Sequence, residues 1–183
     1  MSYGVVSASN YKATFFDGEC AVIATDIPAE EQGTGMLFNM DGEVVGMISS
    51  SVWNDTGKNV VNAYGISDLK PIIELLINGK SVPYIGIYGT TVTEQLAEEH
   101  KMPSGIYVAD VDPDSPAMAA GIQIGDIICE ASGEEIKDIA AYQNIVIGSS
   151  VGETMEFVGK RLGSDGYVNI KFSVVTTEKE EVK

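Results

Sequence analysis

Two Asp-Gly pairs, Asp17-Gly18 and Asp41-Gly42, interrupt runs of β-branched and aromatic residues in the first part of the chain. Glycine accepts the positive φ that tight hairpin turns require, so these pairs predict hairpins and force the flanking runs into antiparallel strands. Strands are expected at residues 4–8, 14–16, 21–24, 36–39, 44–51 and 60–65, an all-β region. Ser67 then reads as the cap of a helix through Ile77, with Ile72, Ile73, Leu76 and Ile77 at helical spacing and Asn78-Gly79 as its stop.

From Val82 the pattern changes, with Pro83 at the edge of a linker. Tyr84-Ile85-Gly86-Ile87 predicts a short apolar strand, and Thr93 begins a helix carrying Leu96 and Ala97. Residues 105–111 form a strand, Asp114-Ser115-Pro116 opens a short helix ending at Gly121, and residues 126–130 and 168–175 are further strands. Asp138 caps a helix containing Ile139, Tyr142, Ile145 and Val146. The chain thus divides into a mainly β region, residues 1–80, and an α+β domain, residues 81–177, with a frayed charged tail at 178–183.

Composition narrows the chemistry. The 183 residues include 11 Lys and Arg against 27 Asp and Glu, a net charge of -16. Phosphate backbones are bound by clustered cations that displace counterions, so nucleic acid is excluded as a partner. No run approaches the roughly 20 apolar residues of a membrane span. The two cysteines, Cys20 and Cys129, have neither C-x-x-C nor His-paired spacing, and no metal or cofactor is expected. With one histidine, His100, a mechanism needing several imidazoles is ruled out.

Residues 81–177 resemble a PDZ domain of the kind attached to HtrA-type bacterial proteases. The resemblance rests on Tyr84-Ile85-Gly86-Ile87, Ser104-Gly105-Ile106-Tyr107-Val108, Asp114-Ser115-Pro116-Ala117 and the run from Ala120 through Gly121, Gly125 and Asp126 to Ile128. Such a module adds an extended peptide to the free edge of a strand, main-chain hydrogen bonds giving affinity and side-chain pockets selectivity. Gly86 would let the N–H groups of Ile85, Gly86 and Ile87 converge on a terminal carboxylate as an anion nest. Tyr142, Ile145 and Val146 would form the opposite wall and, with Ile85 and Ile87, a pocket for the last side chain. Each apolar member reads equally as ordinary core.

Residues 1–79 resemble the second β-barrel of the HtrA-type, trypsin-like protease domain. The match lies in Tyr3-Gly4-Val5-Val6-Ser7, Thr25-Asp26, the run from Asn39 through Asp41-Gly42 to Met47, and Asn62-Ala63-Tyr64-Gly65-Ile66. Between Thr-Asp and Asp-Gly that family holds Asn-Pro-Gly-Asn-Ser-Gly-Gly-Pro, whose serine is the nucleophile. Here the corresponding stretch, Glu30 to Met36, is one residue shorter. Counting forward from Thr25 puts Thr34 at the nucleophile position, with Gln32 replacing the oxyanion glycine; counting back from Asp41 puts Gly33 there. A hydroxyl nucleophile also needs an imidazole oriented by a carboxylate. In the family both belong to a first barrel, which the resemblance places before Met1.

The resemblance therefore implies a degenerate, inactive protease part joined to a working PDZ domain. That domain would bind peptides or unfolded proteins with apolar C-termini, with a regulatory or substrate-recognising role in protein quality control. The alternative is an active HtrA-family endopeptidase, with Thr34 as nucleophile once a first barrel is supplied. The family also implies an extracytoplasmic, membrane-anchored, homotrimeric parent, while for the present chain two states stay open, a monomer or pairing through exposed edges where barrel partners are absent.

Overall fold

A computed structural model describes residues 2–29, 33–49 and 60–178. Its Cα packing separates two compact units, Met1–Ala13 with Cys20–Glu74 and Thr14–Glu19 with Leu75–Lys183. The sequence expectations for Glu30-Glu31-Gln32, for a strand continuing to Ser51 and for residues 179–183 lie outside the described residues.

The first unit is built on a five-stranded sheet of β1 (Val6–Phe15), β2 (Gly18–Pro28), β3 (Gly35–Phe38), β4 (Val44–Ile48) and β5 (Val60–Gly65), in the order β1-β2-β5-β4-β3. The strands expected at 4–8 and 14–16 are one continuous strand. β1 lies at the sheet edge, where Ser7, Ser9 and Lys12 face solvent, so polar residues there do not interrupt pairing. Among the described residues of this unit, Cys20, Val22, Ala24, Ile27 and Ala63 are the buried apolar side chains. Helix α1 (Ile66–Ile77) follows, and Ser67 lies in its first turn rather than at its cap. There Asp68 accepts a hydrogen bond from the Ala21 N–H at 2.7 Å. The helix ends as expected at Gly79, in the left-handed region at φ 67°.

The second unit carries β6 (Pro83–Tyr84), β7 (Ile87–Val92), α2 (Glu94–His100), β8 (Gly105–Val111), α3 (Pro116–Ala119), β9 (Ile127–Ala131) and β10 (Glu134–Glu135). It continues with α4 (Ile139–Gly148), β11 (Thr154–Gly163), β12 (Gly166–Val175) and β13 (Thr177–Glu178). The main sheet runs β12-β11-β9-β8-β7, with β10 paired to β9, and leaves β7 at an edge. Thr93, Ser115 and Asp138 cap α2, α3 and α4 through side-chain oxygens that accept N–H groups of the first turn. A single core cluster joins Ile85, Ile87, Ile106, Tyr142, Phe157 and Val174, among others.

Three further features differ from expectation. The run Tyr84-Ile85-Gly86-Ile87 is not one strand: β6 ends at Tyr84 and β7 starts at Ile87, because Gly86 turns the backbone at φ 94°. β11 was not foreseen. Its Gly159 and the Lys160-Arg161 pair obscure an alternation in which Met155 and Phe157 point into the core, and at Gly159 a Cβ would stand 2.9 Å from the Ile127 carbonyl. Glu178, expected in the frayed tail, instead pairs with Pro83, beside Thr177 with Tyr84.

Candidate functional site

The turn at Gly86 leaves the segment between β6 and β7 with backbone groups that no sheet ladder uses. Two of its carbonyls are engaged from one side: Ile85 C=O accepts from the Ala117 N–H and Gly86 C=O from the Asp112 N–H, each at 2.9 Å. In a trans peptide the N–H lies opposite the C=O, so fixing these carbonyls fixes the Gly86 and Ile87 N–H groups toward the other side. Gly86 is required twice over. Its φ suits glycine, and a Cβ would meet the Ser115 Cβ at 2.4 Å and the Tyr84 hydroxyl at 3.0 Å.

The N–H groups so presented converge on one carboxylate. Asp17 Oδ2 accepts from Ile85 at 2.7 Å and from Gly86 at 2.8 Å, and Asp17 Oδ1 accepts from Ile87 at 3.0 Å. The Tyr142 hydroxyl donates to Oδ1 at 2.6 Å. All four partners are donors, the set an ionised carboxylate needs. Burial pushes the Asp17 carboxyl above its ordinary value, while the bonds from Tyr142, Gly86, Ile87 and Ile85 pull the other way. Burial and the neighbouring Asp17 charge hold the Tyr142 phenol well above its usual range, so it acts as a neutral donor.

Of the residues singled out in the sequence, Ile85, Gly86, Ile87 and Tyr142 meet at this nest. Tyr84 backs it instead: its side chain is buried and its hydroxyl donates to the Asp112 carboxylate beneath the loop. Val146 is buried in the core cluster with Ile85 and Ile87. Ile145, one residue from Val146 on the helix, lines a separate cleft of about 460 Å³ with Glu134, Glu135, Asn144, Glu153 and Met155. Gly33 and Thr34 are exposed residues immediately before β3. His100 is the exposed last residue of α2, and Lys101 closes that helix in the left-handed conformation.

Asp17 itself was missed as a site residue. Its pairing with Gly18 reads locally as a hairpin turn and nothing more; in the structure it is Asp17, at φ 63°, and not Gly18 that takes the left-handed conformation, the turn being Phe16-Asp17 with Gly18 already in β2.

The family model of the PDZ domain matches residues 107–161, which include Tyr142 but not the Ile85–Ile87 loop. A probable periplasmic, DegP-like serine endoprotease of Halomonas elongata is 30% identical over 91% of this chain and 36% of its own length. A serine protease Do-like HtrA of Bacillus subtilis is 30% identical over 87% of this chain and 38% of its own. The chain thus spans little more than a third of these curated relatives. Among solved structures, the serine endoprotease from Yersinia pestis is 25% identical with a TM-score of 0.56, covering 98% of this chain and 57% of that one. The HtrA-type protease AlgW, solved with a tripeptide, superposes at TM-score 0.61 and 21% identity over 99% of this chain and 61% of its own.

Proposed function

Because this chain is homologous over most of its length to HtrA-type, DegP-like serine proteases and carries a PDZ domain, we propose that it works by binding the C-termini of peptides or unfolded proteins. The observation that carries the proposal is the convergence of the Ile85, Gly86 and Ile87 N–H groups, with the Tyr142 hydroxyl, on a single carboxylate. A terminal carboxylate presents the same two oxygens and the same charge. β7 is a sheet edge beside the nest, so a peptide entering there continues as an added strand with its last N–H toward the Ile87 carbonyl. Ile85, Ile87 and Val146, the apolar side chains packed in the core behind the nest, are the ones an apolar last side chain would meet.

In this reading the first unit is a catalytically silent relative of a protease barrel. Neither Gly33 nor Thr34, the two positions that can align with the family's nucleophile, is a serine. The role is then recognition or regulation within protein quality control, outside the cytoplasm as in the periplasmic relatives.

The test is a titration with a fluorescent pentapeptide ending in Val, as free acid and as C-terminal amide. The free acid should bind with a Kd on the order of micromolar or weaker and the amide at least tenfold more weakly. Equal affinities would remove the carboxylate nest from the mechanism.

A further inference from the structure

The nest is filled by the chain's own hairpin turn, and the fit extends beyond one side chain. Asp17 offers its N–H as well as its carboxylate: the N–H donates to the Ile87 carbonyl at 2.7 Å while the carboxylate takes the three loop N–H groups. A peptide's last residue would present this pair, one N–H to the edge strand and one carboxylate to the loop. On the β7 side the Phe16 ring meets Tyr88 edge-on, with centroids 5.8 Å apart. On the α4 side Glu19 N–H donates to Gln143 Oε1 at 3.1 Å. Gly18 passes where a Cβ would come within 2.6 Å of the Gln143 side chain. The turn is therefore held by both walls of the groove, β7 and α4, and by its floor.

We infer that the Phe16-Asp17-Gly18 turn is an internal ligand that occupies the peptide groove, so that a C-terminal peptide binds only by displacing it. The inference rests on the proposed peptide reading of the nest and adds its regulation. One carboxylate fills the donor set, and Asp17 is only 8% exposed, so plug and peptide cannot be bound together. Apparent affinity for peptide is reduced by the fraction of molecules whose turn is undocked. A groove open in a tenth of the molecules or fewer binds at least tenfold more weakly than one without the plug.

The experiment uses the whole chain and the same Val-ending pentapeptide, free acid and amide, titrated against wild type, Asp17→Asn and Asp17→Gly. Glycine removes the carboxylate and tolerates the φ of 63° at this position. Asparagine keeps the turn and one acceptor oxygen but not the charge. The expected result is at least tenfold tighter binding of the free acid to Asp17→Gly, an intermediate gain for Asp17→Asn and no comparable gain for the amide. A free-acid preference in all three chains with no gain in either variant would overturn the plug and leave the peptide reading standing. Loss of discrimination between acid and amide in all three would overturn the peptide reading and the plug with it. Circular dichroism of each variant verifies that it is folded, and Asp17→Asn carries the test if Asp17→Gly is not.

Discussion

In the unit that carries β7, β8, β9, β11 and β12, a continuous cluster of buried side chains includes Phe157, Phe172, Met155 and Tyr142. The five-stranded sheet of the other unit buries only Cys20, Val22, Ala24, Ile27 and Ala63 among its described apolar residues, none larger than isoleucine. Tyr3, Val5, Met36, Phe38 and Met40 of the same unit are mostly exposed. Fully burying one large apolar side chain is worth about 1.5–3 kcal/mol, so the two units differ by many such contributions. The contrast teaches where specificity resides. A nest of main-chain donors keeps its geometry only if the peptide planes around it are fixed, and here it sits on the well-packed unit, with Ile85 and Ile87 themselves fully buried.

The widest test of that contrast pairs two phenylalanines. Phe157 is fully buried between β9 and β12, and Phe38 is 54% exposed. Phe157→Ala should cost about 3–5 kcal/mol by loss of packing and creation of a cavity. Phe38→Ala should cost less than about 0.5 kcal/mol, as for surface positions without special contacts. Urea denaturation of the whole chain measures both, and comparable losses would break the comparison.

A smaller effect separates two ion pairs. Arg161 in β11 grips the buried Asp126 carboxylate with both ends of its fork, Nε to Oδ1 at 2.6 Å and a second nitrogen to Oδ2 at 2.7 Å. Arg161→Met would leave Asp126 buried with the Gln123 N–H but no cation, at a cost of about 2–3 kcal/mol once the partial exposure of Arg161 is allowed for. Lys70 and Glu74, 3.9 Å apart on the exposed face of α1, are an i,i+4 pair. Lys70→Ala should change stability by about 0.5 kcal/mol or less. If the two substitutions cost the same, Asp126 does not depend on its fork.

How far these properties could be read in the sequence follows from their range along the chain. The helix starts at Thr93, at Asp114-Ser115-Pro116 and at Asp138 were legible because the capping bonds of Thr93, Ser115 and Asp138 are each satisfied within three residues. The hairpin at Asp17-Gly18 was legible as well, although Asp17 and not Gly18 takes the positive φ there. Opaque were the features that join distant segments: Asp17 to Ile85, the pairing of β6 with β13, and β11, whose Gly159 makes sense only beside Ile127. Local turn chemistry also masked the second use of Asp17. The backbone of the pair makes the turn while the side chain serves a loop 68 residues further on, and nothing in a dipeptide signals that division.

The two cysteines report on the two units separately. Cys20 is fully buried in the five-stranded unit, where burial first and the Asp68 charge second push its thiol up to about 11. Cys129 is partly buried in β9, raised by burial and eased down by Lys160. The thiolate is the reacting species, so iodoacetamide near neutral pH should label Cys129 before Cys20 in the folded chain. The pH profile of Cys20 then separates two routes. Reaction in the folded state keeps accelerating until the pH reaches about 11, whereas reaction through local opening levels off near the ordinary thiol value of about 9. The same shift fixes a sign for stability: the neutral thiol favours the fold, so its contribution is complete below about 9 and is lost as the pH rises to about 11. The thin core of the first unit predicts the opening route, with Cys20 labelling levelling off near 9 in concentrations of urea that leave the Phe157 core intact. A profile that continues upward toward 11 under those conditions would show the sheet to be as firmly closed as its neighbour, and would remove the difference in packing as the reason the nest is built where it is.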